Sequence, residues 1–309
     1  MGTTAQKLQA VLNSKAAIKA AIEAKGVADV GDVLSAYPEK IASIPSGGTW
    51  SGHADEVGLK AIGWTDEDIA YYQKYGVNWN EEDDQYHLVT EDNKALYGVL
   101  TASNISSYKD RIVYLPKIDT SGKTDMEGLF QGCNIMVAIP MIDTSSATNM
   151  KNMFYQCYAL VCIPQLSTSR SKSTQGMFYQ CYSLSYVPVL DMSVVSTSRQ
   201  MFSSCYSLQT IPASNVSGVG DLGYMFSNCY SLTGMSLILR SRSSPNISGI
   251  LSYCKALAYC NIKNLMDSIE LDDSPLFSKE SLLYMIENAV PEETITITLS
   301  AYSYSKFND

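Results

Sequence analysis

The sequence predicts an α+β solenoid of 24-residue repeats with parallel β-strands, preceded by a small helical N-terminal region. Three ladders of identical residues carry this prediction. Phenylalanine recurs at an unbroken interval, cysteine follows three places behind, and proline keeps the same interval. A fixed period of this length is typical of proteins in which each repeat forms one coil stacked on the last. The ladders are Phe130, Phe154, Phe178, Phe202 and Phe226; Cys133, Cys157, Cys181, Cys205 and Cys229; and Pro116, Pro140, Pro164, Pro188 and Pro212.

Residues 1–46 are predicted to form a helical anchoring or oligomerisation region. An amphipathic helix is expected over residues 4–25, ended by Gly26, and a second short helix is expected to start near Asp32. Two small helices bury little surface by themselves, so we expect this region to dock onto a second copy or onto another protein. The apolar stripe of the anchoring helix is Leu8, Val11, Leu12, Ile18 and Ile22.

Residues 47–109 are predicted to form an acidic α/β module that also caps the N-terminal end of the solenoid. The 60 residues from 51 to 110 contain four lysines and twelve acids, a balance of −8 in a chain of net charge −9. The sequence 65–68, Thr-Asp-Glu-Asp, predicts a helix start with its acids in the first turn. The acidic run 81–84 is interpreted as a solvated turn, with a calcium site as the alternative.

The solenoid itself is predicted over residues 110–265, followed by a helix–strand C-terminal cap over 266–309. Each coil should contain a short helical turn, as around Phe154, and a strand that enters a bend at proline. The predicted strands are 112–118, 136–142, 160–166, 184–190 and 208–214. After the bend, Asp, Asn and Ser side chains are expected to bond local backbone. Calcium ions on this row are the alternative, although Ser167 interrupts the carboxylates.

The eight cysteines are predicted to be free, buried thiols. Six of them, the ladder and Cys254, share one repeat position and should lie about 5 Å apart, as adjacent strands do. Such a row gives each thiol two equivalent neighbours and no specified disulfide partner. Disulfides remain one alternative. Zinc is a second, without the usual short paired spacing.

Composition argues against several classes of function. Neither a basic stripe nor a basic tail exists, so we expect no nucleic-acid binding. No apolar run is long enough to cross a bilayer, and the N-terminus lacks the pattern of a secretory signal. We therefore expect no membrane insertion and synthesis in a cytoplasm. The two histidines, His53 and His87, stand outside nucleophile or metal motifs, so neither an enzyme, a cofactor nor a metal is expected. A pair of distant carboxylates that cleaves sugars stays open.

Tyrosines are the candidate recognition surface. If cysteine points inward, the residue after it should point outward and give a row of aromatic faces. Aromatic rings with hydroxyl groups suit sugar or protein recognition. The alternative is a stacked ladder that only stiffens the edge of the solenoid. The row is Tyr158, Tyr182, Tyr206 and Tyr230, with Tyr155 and Tyr179 beside it.

The repeat resembles the BspA-like class of leucine-rich repeats. The sequence 149–160, Asn-Met-Lys-Asn-Met-Phe-Tyr-Gln-Cys-Tyr-Ala-Leu, which runs on to Ile163 and Pro164, is similar to the Met-Phe-x-x-Cys-x-x-Leu core of that class. In the class, Ile/Leu-Pro and Asp-x-Ser follow this core. The resemblance covers roughly residues 110–262 and implies a parallel solenoid with a role in adhesion or recognition. Such repeats occur in bacterial adhesins, protozoan surface proteins and phage proteins.

The N-terminal sequence is similar to the opening of phage and prophage tail and fibre proteins, many from phages of gut Bacteroidales. The segments that carry this resemblance are 7–22, 25–27, 37–41 and 59–80. It implies a virion structural protein, a tail fibre or tail-associated appendage, assembled in the bacterial host cytoplasm. The implied partners are other virion proteins through the N-terminal region, copies of the chain (a trimer favoured), and a host cell-surface glycan or protein. A bacterial cell-surface adhesin is the alternative, and a glycan depolymerase is the third.

Overall fold

The structure is a computed structural model that describes residues 59–60, 63–74, 100–241, 243–291 and 293–307. The stripe of the predicted anchoring helix (Leu8, Val11, Leu12, Ile18 and Ile22) and both histidines lie outside the described residues. The helices are α1 (Asp66–Lys74), a 3-10 helix (Ile105–Tyr108), α2 (Lys279–Glu287) and α3 (Ala301–Phe307). The strands are β1 (Ser214–Asn215), β2 (Gly234–Ile238), β3 (Tyr259–Lys263), β4 (Ile269–Leu271) and β5 (Ile297–Leu299).

The described strands are few, and all of them pair in parallel. Strands β1, β2 and β3 form one sheet in that order, and β4 and β5 form a second. Residues one repeat apart face each other in the first sheet, as Gly234 does with Tyr259. Neither sheet closes on itself within the described residues. A few parallel strands with few helices are compatible with a repeat protein.

The prediction of a regular strand in each of the segments 112–118, 136–142, 160–166, 184–190 and 208–214 is wrong. Of these residues, only Ser214 lies in a strand, and the isolated parallel bridges in the segments are those of Tyr114 with Ala138 and of Thr210 with Gly234. Proline is the physical reason, because it has no N–H to donate to a ladder. Where the 24-residue spacing replaces proline by Ser236, the five-residue strand β2 forms and pairs with β3.

The prediction of a helical turn around each phenylalanine is also wrong. The segment is a run of β-turns in which amides alternate their acceptors. The Phe154 amide donates to the Met177 carbonyl of the next repeat (2.8 Å), whereas the Cys157 amide donates within its own repeat to Phe154 (3.1 Å). Neighbouring phenylalanine rings lie 5.1–5.5 Å apart. Helices pack 8–10 Å apart, so a helical turn does not fit this spacing.

Two columns of left-handed residues shape these turns. Each repeat has two residues with φ between 55° and 77°, four places apart. The first column is Gly128, Asn152, Gly176, Gln200, Tyr224 and Gly249, and the second is Gly132, Gln156, Gln180, Ser204, Asn228 and Tyr253. Most of these are not glycine, so the backbone strain of the left-handed region is offset by the hydrogen bonds between repeats.

The core is a column of stacked phenylalanines with cysteines beside it. The five rings are between 0% and 4% exposed. From Cys157 onwards, the thiols of this row donate to the carbonyl of the phenylalanine one repeat and three residues earlier, as Cys157 Sγ does to Phe130 O at 3.1 Å. That carbonyl also accepts from the Cys133 amide, so both of its lone pairs are used. The same bond recurs for Cys181, Cys205, Cys229 and Cys254 at 3.1–3.2 Å.

Helix α1 begins where the sequence predicts and packs against the first repeats. The Thr65 hydroxyl accepts from the Asp68 amide, and the Asp68 carboxylate accepts from the Thr65 amide, a reciprocal cap. Asp68 is 1% exposed and also accepts from the Met141 amide of the second repeat. The Trp64 indole donates to the Leu115 carbonyl at 2.7 Å. These bonds hold α1 on a second apolar cluster that includes Tyr114.

The C-terminal residues contain the predicted helix and strand. Ser278 caps α2 by accepting from the Ser281 amide, and Met285 of α2 is fully buried. On the same helix, Leu283 and Ile286 are 48% and 54% exposed. The strand of the predicted helix–strand cap is observed as β5. The division of the chain at residues 46, 109 and 265 stays a prediction.

Candidate recognition surface

The four tyrosines that follow the ladder cysteines form one continuous stack. All four side chains are half-buried, next to the fully buried cysteines. The ring centroids of Tyr158, Tyr182, Tyr206 and Tyr230 are separated in turn by 4.7, 4.6 and 5.0 Å, with interplanar angles of 6°, 1° and 16°. The sequence therefore identified four side chains that the fold brings together; we call them the tyrosine stack.

Tyr155 and Tyr179 form a second, shorter stack beside the first. Their ring centroids lie 5.2 Å apart at 22°, and both side chains are half-buried. The next repeats carry serine at this position, at Ser203 and Ser227, so the pair does not continue. All six tyrosines thus lie on one region of the surface, in two rows of unequal length.

The tyrosine stack presents ring edges and hydroxyl groups rather than the open aromatic faces that we expected. Rings less than about 5 Å apart and nearly parallel cover each other's faces. At the C-terminal end, the Lys255 ammonium lies over the Tyr230 ring, 5.7 Å from its centroid. The Tyr230 hydroxyl donates to Asn228 Oδ1 at 3.0 Å. The stiffening stack considered as the alternative is thus present, and binding by its hydroxyl edge stays a prediction.

Burial and neighbouring rings keep the hydroxyls of the stack neutral. Desolvation raises the pKa of Tyr158, Tyr182, Tyr206 and Tyr230, and for Tyr182 the neighbouring tyrosines raise it further. A phenol that stays protonated both donates and accepts a hydrogen bond. The stack therefore carries neutral hydroxyls, one per repeat, and those of Tyr206 and Tyr230 also bond side chains of the protein itself.

The Asp and Asn side chains after the bend bond local backbone as the sequence predicts, whereas the Ser167 hydroxyl bonds that of Ser169 instead. Asp119, Asp143 and Asp191 accept from the amides of Ser121, Ser145 and Ser193 at 2.8–2.9 Å. Asn215 accepts from Ser217 in the same way. Bonds from the serine hydroxyl and amide lower the pKa of the three aspartates, so these side chains are ionised at neutral pH. Their first role is to close a turn.

Two further polar columns were missed. Buried Thr120, Thr144 and Thr168 donate from their hydroxyls to carbonyls of the next repeat at 2.7–3.1 Å. Threonine stands at the 24-residue spacing one place after the Asp row, so the period itself was the available signal. In the second column, each side-chain oxygen accepts a hydrogen bond from the backbone amide two residues later. Its members are Asp125, Asn149, Ser173, Thr197, Asp221 and Asn246.

All eight cysteines are free and buried, which confirms that prediction. Burial raises the pKa of each thiol, to about 12 for Cys133 and Cys254. A thiol is nucleophilic and binds metal as the thiolate, which this environment disfavours. Within the described residues, no group of three or more His, Cys, Asp or Glu side chains is placed to hold a metal ion.

The parallel strands and the contacts at a 24-residue spacing make the described part of the chain compatible with a repeat protein. A family model supports this: the model described as "Mycoplasma protein of unknown function, DUF285" matches residues 103–208. The match is compatible with the BspA-like repeat resemblance and carries no link to phages. No curated protein and no solved structure matches the chain. In the described part of the chain, no helix has the length and apolar character needed to span a membrane.

Proposed function

We propose that this chain is a BspA-like leucine-rich-repeat solenoid that recognises a host cell surface. The single observation that carries the proposal is the tyrosine stack, whose half-buried rings follow one another at centroid distances of 4.6–5.0 Å and each carry a neutral hydroxyl. Tyrosine combines a large, rigid contact area with hydrogen bonding, at the cost of ordering only two torsions. The ligand class is a cell-surface glycan or protein.

The setting that we propose is a bacteriophage virion, with the chain as a tail fibre or tail-associated appendage. The N-terminal resemblance to phage tail and fibre proteins supports this setting. Residues 1–46 would attach the chain to other virion proteins and join copies of it, with a trimer favoured. Deleting 1–46 should lower the mass measured by light scattering from that of an oligomer to that of one chain. An intact chain that is already monomeric would count against oligomerisation by this region.

The proposed protein is not an enzyme and takes no cofactor. In the described part, the thiols are buried and protonated, and the exposed aspartates of the bends are held ionised by serine. Cleavage of a sugar chain by two carboxyl groups needs one that stays protonated as the acid. Incubating the chain with host capsule and measuring glycan length tests the depolymerase alternative, and shortened glycan would establish it.

The recognition test removes the hydroxyls and keeps the stack. Each of the three stacked pairs contains Tyr182, Tyr206 or both, and a stacked pair contributes about 0.5–1.5 kcal/mol. Alanine at both positions would therefore lower the stability of the fold as well as remove the hydroxyls. The double substitution Tyr182→Phe with Tyr206→Phe retains the rings. We expect weaker binding to host cells with little change in melting temperature. The matched control is Tyr304→Phe, an exposed tyrosine (61%) outside the stack.

Two results would count against the proposed surface. Unchanged host-cell binding by the double phenylalanine variant would show that the tyrosine hydroxyls do not contact the host cell. Equal loss in Tyr304→Phe would show a nonspecific effect. The virion setting is tested separately by gold-labelled antibody: label on phage particles supports it, whereas label on bacterial surfaces supports the adhesin alternative.

A further inference from the structure

A shallow groove of about 670 Å³ lies on the row of bends, away from the residues assigned to the tyrosine stack. Asp143 and Asp191 stand at its two sides, two repeats apart. Since neighbouring repeats are spaced like strands, this separation is about 10 Å along the repeat direction. The floor between them includes the apolar side chains Ile142 and Leu166.

The groove exists because the ladder of bends is interrupted at one repeat. The first, second and fourth bends carry Asp119, Asp143 and Asp191, whereas the third carries the shorter Ser167. Ser167 Oγ lies 3.2 Å from Ser169 Oγ, so its hydroxyl stays within its own turn. Serine ends in a hydroxyl where aspartate has the larger carboxylate, which leaves more space between the two flanking aspartates.

The polar groups of the groove are fixed and are mainly acceptors. The Gln165 amide nitrogen donates to the carbonyls of Leu166 (3.1 Å) and Val189 (2.7 Å), which uses both of its hydrogens and leaves its oxygen as an acceptor. Asp143 and Asp191 each bond a serine two places later, and an ionised carboxylate has about four acceptor sites, so both keep capacity. A ligand must therefore supply donors.

Apolar surface next to these acceptors further restricts the chemical class of ligand that the groove can bind. Val189 is 60% exposed at the wall of the groove, beside the buried Leu166 of the floor. Hydroxyl groups around a ring with apolar C–H faces match this mixture of acceptors and aliphatic surface. A ligand with a carboxylate or sulfate would meet two negative charges at close range, which disfavours it.

We infer that this groove, which we call the Ser167 groove, binds a saccharide unit without acidic groups. It would bind through hydroxyl donation to Asp143, Asp191 and Gln165 and through C–H packing on the exposed Val189. The inference deepens the proposed function, on which it rests, by naming the chemical class of the receptor and a second contact region, separate from the tyrosine stack.

The test uses the full chain and an immobilised panel of neutral hexose, N-acetylhexosamine and uronic-acid oligosaccharides. We expect binding to neutral members and none to uronic acids. Ser167→Asp keeps a turn-forming residue and places a third carboxylate between Asp143 and Asp191, in the space proposed for the ligand. It should weaken binding by steric exclusion. Asp143→Asn removes one charged acceptor and should weaken binding by about tenfold or more, because hydrogen bonds to charged groups are the strong ones.

The matched control is Asp119→Asn, which changes the same turn position one repeat before the groove. It should bind saccharide as the unmodified chain does. No binding to any neutral saccharide by the folded chain would overturn the inference, as would equal weakening by Asp119→Asn and Ser167→Asp. If host-cell binding is retained by Ser167→Asp and lost in the tyrosine variant, the inference about the groove is refuted and the proposed function is not. If the chain binds saccharide but does not bind host cells, the proposed function is refuted and the saccharide site is not.

Discussion

Replacing Phe178 with alanine removes a ring that has a stacked neighbour on both faces. Its centroid lies 5.4 Å from those of Phe154 and Phe202, and its side chain is fully buried. Substitution of a buried phenylalanine by alanine lowers the free energy of unfolding by about 3–5 kcal/mol. The lost volume should relax poorly, because the hydrogen bonds between repeats fix the backbone spacing on either side.

Phe130→Ala is the matched comparison. Phe130 is equally buried, but among the described residues its ring stacks on Phe154 alone, at 5.1 Å. Each stacked pair contributes about 0.5–1.5 kcal/mol beyond the buried area, so Phe178→Ala should be the more destabilising by about that amount. Urea unfolding followed by far-UV circular dichroism gives both free energies by linear extrapolation. Equal losses in the two variants, or a Phe178→Ala loss below about 1 kcal/mol, would refute the role assigned to stacking.

Two further predictions concern the thiols and the left-handed column. Burial raises the thiol pKa from the ordinary 9.0, to about 12 for Cys133, so the stability that depends on neutral thiols is complete below pH 9 and is lost as the pH rises from 9 towards 12. Urea midpoints across this range should fall, and a thiol reagent at neutral pH should label the described cysteines only after unfolding; rapid native labelling would contradict the burial. Gly176→Ala should destabilise slightly more than Gly122→Ala: both have positive φ, but a Cβ at Gly176 would force the Asn152 side-chain amide to move, whereas Gly122 has open space. The left-handed conformation alone costs about 1–2 kcal/mol, so equal losses in the two variants would contradict this displacement of Asn152.

The period of the sequence predicted which side chains meet. Phe154 stacks on Phe178, and Tyr158 stacks on Tyr182, because identical residues one period apart occupy equivalent positions in neighbouring repeats. The local bonds of Asp143 were predictable for a different reason, since Asp-x-Ser closes a turn whatever surrounds it. These inferences needed only identity and spacing.

The backbone between those side chains was less predictable. The Met-Phe-x-x-Cys spacing suits one face of a helix, yet the segment is a run of β-turns, because the distance between repeats excludes a helix. Gln180 and Ser204 take the left-handed conformation although neither is glycine. The hydrogen bonds that stabilise this conformation are made with the next repeat, so they cannot be predicted from the local sequence. The Ser167 groove was not predicted for a similar reason. Serine in place of aspartate at one position of the row produces a groove only when neighbouring repeats lie side by side in the fold.

The column of β-turns has an electrical polarity. Its bonds between repeats all run in one direction, from the amide of one repeat to a carbonyl of the next, as from Phe154 to Met177. The peptide dipoles therefore add along the column as they do along a helix. At the amide end, the Tyr253 N–H meets the Asp273 carboxylate at 3.0 Å, and at the carbonyl end the Lys109 ammonium lies beside Gly132. A negative charge at one end and a positive charge at the other complement this dipole, so the two ends of the column are chemically unlike and cannot be exchanged.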